Sequence, residues 1–142
     1  MKKVLISLLV AFLFVGCSST SALKDGTYKA EMKAPDSHGW TEFVDVTVTN
    51  SKITKVVFDA KNEDGALKSQ DAEYEKIMKD SGSKTWPSDF YTKLANQLVE
   101  KQNINDVEAV AGATTSSDSF KKLVKALSKN MEKGETDTLS VE

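Results

Sequence analysis

Residues 41–50 alternate in character, with Val44, Val46 and Val48 on one side of an extended chain and Asp45, Thr47 and Thr49 on the other. A strand with one apolar and one polar face belongs in a sheet that is covered on one side only. Asn50-Ser51-Lys52 makes a tight turn, and residues 53–60 return as a second strand, so the pair forms a hairpin. Residues 26–33 read as a strand ahead of it, with Tyr28, Ala30 and Met32 on one face. The loop Ala34-Pro35-Asp36-Ser37-His38-Gly39 joins the two.

Beyond the hairpin the period changes from two to that of a helix. Asn62-Glu63-Asp64-Gly65 breaks the sheet, and residues 69–80 then place Tyr74, Ile77 and Met78 on one helical face. Pro87-Ser88-Asp89 opens a second helix that carries Phe90, Leu94 and Leu98. Residues 107–110 are expected to form a short strand. Residues 117–133 are expected to form a last helix with Phe120, Leu123, Val124, Leu127 and Met131 in one stripe. The order predicts a single α+β domain in which helices pack against a small, mainly antiparallel sheet.

The front of the chain has a different composition. Lys2 and Lys3 precede an apolar run from Val4 to Val15, interrupted by Ser7. That run is shorter than the roughly twenty residues a membrane-spanning helix needs, and residues 1–16 read as a signal peptide. Phe14-Val15-Gly16-Cys17 resembles the lipobox of bacterial lipoproteins, with Phe14 where Leu is more usual. The implied mature protein starts at a lipid-modified Cys17, outside the cytoplasmic membrane, with residues 17–23 as its tether. Residues 24–133 form the domain and residues 134–142 a polar tail.

Cys17 is the single cysteine and His38 the single histidine, which excludes cysteine-held zinc or iron–sulfur clusters and multi-histidine metal sites. His38 reads as a polar loop residue. The full chain has a formal net charge of −2, which becomes −4 once Lys2 and Lys3 leave with the signal peptide. A mildly acidic domain does not present the basic face that nucleic acid requires.

The densest chemical signal is Ala111-Gly112-Ala113-Thr114-Thr115-Ser116-Ser117, directly ahead of the last amphipathic helix. Gly and Ala let the backbone come close to a ligand. A helix start offers free N–H groups and a positive dipole end, which suit a phosphate. The hydroxyls of Thr114, Thr115 and Ser116 could bind such a phosphate or be esterified by it. A plain helix cap by Ser117 or Asp118 is the other reading.

With its flanks, Asp106-Val107-Glu108-Ala109-Val110 into Ala111-Gly112-Ala113-Thr114-Thr115-Ser116-Ser117, the segment resembles the flavinylation motif of FMN-binding domains. That family includes FMN subunits of sodium-pumping and Rnf-type respiratory complexes, and extracellular electron-transfer lipoproteins of Gram-positive bacteria. Asp25-Gly26-Thr27-Tyr28, Gly39-Trp40-Thr41-Glu42-Phe43, Phe58-Asp59-Ala60-Lys61 and Lys68-Ser69-Gln70-Asp71 look like the lipoprotein branch. The likeness spans roughly residues 24 to 128. Ala111 stands where the respiratory subunits carry Ser or Thr.

The resemblance implies FMN joined through its phosphate to a Thr or Ser hydroxyl by a separate flavin transferase. By position the carrier is Thr114, with Thr115 and Ser116 as near alternatives. Gly112, Ala113 and Ser117 would stand close to the phosphate. Trp40, Tyr74, Met78 and Trp86 are the candidates for the wall against the isoalloxazine ring. The implied function is a lipid-anchored electron carrier without substrate chemistry of its own, fed by a membrane electron donor such as a quinone-linked dehydrogenase. A surface binding or adhesion lipoprotein without cofactor is the competing class. A pheromone role for the released signal fragment would be compatible with either.

Overall fold

The computed structural model describes residues 21–142. The signal peptide, Cys17 and the first part of the tether lie outside the described residues. Strand β1 (Gly26–Met32) pairs antiparallel with β2 (Thr41–Thr49), which pairs antiparallel with β3 (Lys52–Lys61). Asn50 and Ser51 close the hairpin with φ of 52° and 60°, the left-handed pair that matches the twist of the flanking strands. The expected alternation holds: Val44, Val46 and Val48 are buried with Tyr28 and Ala30 on the same face.

Three helices follow: α1 (Ala72–Asp80), α2 (Pro87–Lys101) and α3 (Thr114–Lys133). Helices α2 and α3 cover the apolar face of the sheet. Phe90, Tyr91, Leu94 and Leu98 from α2 meet Phe120, Leu123, Val124, Leu127 and Met131 from α3. At the centre, the Phe58 ring packs edge-on to Tyr91 at 4.9 Å between centroids and lies 4.8 Å from Phe120. The architecture is α+β in one domain, as the sequence predicts.

Four local expectations are corrected. Residues 107–110 form no strand. A short 3-10 turn (Ile104–Asp106) leads instead into extended chain whose polar groups are taken by side chains. The Gln97 amide brackets Glu108, accepting from its N–H at 2.9 Å and donating to its carbonyl at 3.1 Å. With a helix side chain in the place of a neighbouring strand, the segment stays off the sheet.

The tail supplies the fourth strand instead. Strand β4 (Leu139–Val141) pairs parallel with β1, so the sheet order is β3-β2-β1-β4 and the sheet is mixed. The first helical stretch is divided: a 3-10 turn (Lys68–Gln70) precedes α1, because the Asp71 carboxylate accepts the Tyr74 N–H at 2.9 Å and starts a new helix there. Helix α1 buries none of its residues, and Ile77 is 60 % exposed. Finally, α3 begins at Thr114 and not at Ser117, for a reason that belongs to the site.

Candidate functional site

Gly112 has φ of +87°, a left-handed conformation that side-chain-bearing residues adopt with strain. It turns the chain against the segment just ahead of α2, where an added Cβ would stand 3.3 Å from Thr85 Cγ2. Thr85 is buried and donates to Asp89 at 2.7 Å, so this support is itself fixed.

From that turn α3 starts at once. Ser117 is fully buried, and its hydroxyl donates to the Ala113 carbonyl at 2.7 Å while accepting the Val110 N–H at 3.0 Å. This pair of bonds folds residues 110–113 back onto the first turn. Ser117 is thereby a fixture of the loop, and the cap position falls to Ala113, which has no side-chain oxygen to offer. Among the described residues no side chain caps α3, and its first turn contains no acidic residue. The Ser117 or Asp118 cap is replaced by an open helix N-terminus, with Thr114 and Thr115 exposed on it and Ser116 half-buried.

Thr115, Ser116 and Ser119 form one side of a cleft of about 560 Å³. The opposite side comes from the loop after β1, from Trp40 and Glu42 at the start of β2, from Lys68 and from Tyr74 on α1. Trp40 is 9 % exposed and Tyr74 half-buried, so both offer a ring face at the edge of the core. Met78 and Trp86, the other two residues expected in the wall, sit on the α1–α2 side. There the Lys79 ammonium lies 4.2 Å from the Trp86 ring centroid. The cleft thus brings together Thr115, Ser116, Trp40 and Tyr74. Gly112, Ala113 and Thr114, which precede Thr115 in the chain, do not line it, and neither do Met78 and Trp86.

Four further residues, Asp36, Glu42, Lys68 and Tyr91, complete the electrostatics, and sequence reasoning passed over their part in the site. The Asp36 carboxylate accepts the N–H groups of His38 at 2.8 Å and Trp40 at 2.9 Å, which closes the loop that carries Trp40. Burial alone would raise the Asp36 carboxyl. The two N–H bonds and the nearby Lys68 ammonium outweigh it and hold the group below the ordinary carboxylate value. Tyr91 donates to Glu42 at 3.3 Å from beneath the cleft. Burial first, then the Glu42 and Asp59 charges, push the Tyr91 hydroxyl far above an ordinary phenol, so it remains a donor.

The arrangement suits a ligand with a flat aromatic body and an anionic end. Two aromatic side chains offer surface for the body. Uncapped N–H groups, a positive dipole end and clustered hydroxyls offer a seat for a phosphate. FMN has that shape and charge, and Lys68 and the hydroxyl row are donors of the right kind for it.

Comparison with known proteins leads to the same ligand. The FMN-binding domain family matches residues 39–129. A curated relative, the 15 kDa lipoprotein of Treponema pallidum (strain Nichols), is 38 % identical over 127 residues, covering 89 % of each chain. A crystal structure of a Clostridium perfringens protein superposes with a TM-score of 0.78 at 36 % identity, covering 84 % of this chain and 97 % of that one. The chain belongs to the FMN-binding domain family, and FMN is its cofactor.

Proposed function

We propose that this protein is a lipid-anchored flavoprotein that carries FMN covalently on Thr114 and shuttles electrons outside the cytoplasmic membrane. One observation carries the covalent reading: exposed hydroxyls stand on an uncapped helix N-terminus beside an aromatic cleft. Helix α1 begins on a capping side chain, Asp71, and α2 opens on Pro87 in its first turn, which has no N–H to cap; α3 has neither. At α3 the place of the cap is open to the phosphate.

In the proposed attachment the Thr114 Oγ1–phosphorus bond forms, the hydroxyl proton departs, and the phosphorus–oxygen bond to the leaving group of an activated flavin donor breaks. A separate transferase supplies that donor. The first-turn N–H groups of α3 would hold the remaining phosphate charge. Trp40 and Tyr74 shelter the ring system, which supplies the electron-accepting chemistry. Within this chain Tyr91 and Glu42 hold the floor of the cleft. Anchoring is assigned to Cys17 on the lipobox-like segment, with support from the relative named as a lipoprotein. The electron donor is then a membrane dehydrogenase, for which covalent attachment keeps the cofactor from diffusing away.

Intact-mass measurement of the domain produced with and without an active flavin transferase tests this. The expected result is a gain of one FMN less one water, abolished by Thr114→Ala and retained in Thr115→Ala and Ser116→Ala. Absence of any gain would overturn the covalent reading, and a label lost in Ser116→Ala alone would move the attachment point.

A further inference from the structure

Lys68 is an unusual lysine. Its side chain is 10 % exposed, and among the described residues its ammonium has one hydrogen-bond partner, Asp36 Oδ2, at 3.4 Å. A buried ammonium is costly unless its donors are used, and Lys has three of them. The ammonium lies 4.9 Å from the Tyr74 ring centroid and 5.8 Å from that of Trp40, so it projects between the two rings that wall the cleft. Its position is built. Lys68 begins the 3-10 turn, and the next residue, Ser69, is clamped to β3 by the buried Asp59 carboxylate. That carboxylate accepts the Ser69 N–H at 3.1 Å and the Ser69 hydroxyl. The cleft's two carboxylates are shared with other donors: Asp36 Oδ1 takes the His38 and Trp40 amides while its Oδ2 faces Lys68, and Glu42 takes the Tyr91 hydroxyl. Lys68 is therefore the positive group with bonding capacity left over inside the cleft.

We propose that Lys68 contacts the ring system of the bound FMN and sets its reduction potential. This rests on the FMN reading above and adds a role to it. The phosphate is assigned to the hydroxyls and amides at the start of α3, whereas Lys68 lies among the aromatic walls, where the ring system would lie. When two electrons and a single proton enter the ring system it gains one negative charge. Lys68 offsets that charge, with the electrons supplied by an external reductant. Without Lys68 the same charge would form beside Asp36 and Glu42 alone, and reduction would become harder.

The test is an anaerobic redox titration with dithionite and a reference dye, on the flavinylated chain and its Lys68→Met and Lys68→Arg variants. Intact mass confirms equal loading of all three. Lys68→Met is expected to lower the equilibrium constant for reduction by about tenfold or more, equivalent to about 30 mV for a two-electron couple. Lys68→Arg, which keeps the charge, should stay near the parent. A merely structural role for the Lys68–Asp36 pair would shift the melting temperature and leave the potential in place. Where Lys68→Met does not fold, Lys68→Gln reads the same charge. Equal potentials in the loaded parent and the neutral variant overturn this assignment while the FMN carrier stands. A parent chain that takes no FMN from an active transferase overturns both.

Discussion

Ser117 and Gly112 decide where α3 begins, and each makes a separate prediction. Ser117 satisfies one buried donor and one acceptor at once, Val110 N–H and Ala113 C=O. Ser117→Ala leaves the Val110 N–H without its acceptor and should cost about 1–3 kcal/mol, read as a lower urea midpoint. Flavin loading should fall with it, because the loop that presents Thr114 loosens. Gly112→Ala meets two obstacles, a φ of +87° and a 3.3 Å contact with Thr85 Cγ2. A loss of about 1–2 kcal/mol is expected. Its thermal melt should fall below that of Ala111→Gly, a change at an exposed neighbour.

At the scale of elements, α1 is the piece with least to hold it. It buries no residue, and it is tied to α2 mainly by the Ser88 hydroxyl on Glu75 at 2.8 Å and by Lys79 over Trp86. Its amides should exchange with deuterium ahead of those in α2 and α3. Asp71→Ala, which removes the cap, should accelerate them further, by about 1 kcal/mol of local stability. The loop over residues 34–40 has a different sensitivity. Asp36 has a native value below its unfolded one, so between those values the unfolded chain binds more protons and stability rises with pH. The contribution is present above the unfolded value of about 4 and lost as pH falls through the lower native one. Urea melts between pH 6 and 2.5 should show a shallower acid slope in Asp36→Asn.

Elements also show what a sequence can and cannot disclose. The hairpin was legible because Val44, Val46 and Val48 repeat every second residue and Asn50-Ser51 closes the turn locally. The stripe of α3 was legible for the same reason at the helical period. Residues 107–110 misled because Val107 and Val110 look like strand residues, while the Gln97 amide that replaces a strand partner lies on another helix. Strand β4 has three residues, too few for a pattern, and its parallel pairing with Ala30, Glu31 and Met32 arises only once the domain has closed. Of the candidate site, the hydroxyl row stands out in the sequence as small and hydroxylic residues ahead of a helical stripe, and the aromatic wall candidates stand out by type, but which two of the four line the cleft is set by the fold. The aim of Lys68 was not, since it depends on the Asp59–Ser69 clamp across ten positions.

For the whole molecule, both ends of the described chain are stitched to the domain. Lys24 N–H bonds the Met131 carbonyl at 2.8 Å near the end of α3, and β4 covers the edge of β1. Removing residues 138–142 strips the half-buried Leu139 and Val141 and bares a sheet edge. The expected cost is about 1–3 kcal/mol, with concentration-dependent association seen in light scattering.

The link between Lys24 and Met131 also fixes a distance. The chain enters the domain at one end of α3 and the hydroxyl row stands at the other, and a helix of 20 residues spans about 30 Å. On the lipid-anchored reading, α3 acts as a mast. Its foot would lie nearer the bilayer than the hydroxyl row, which would hold the flavin at the far end. A donor in the membrane would then have to extend a domain of its own to meet the cofactor, while a soluble acceptor could approach it from the open side.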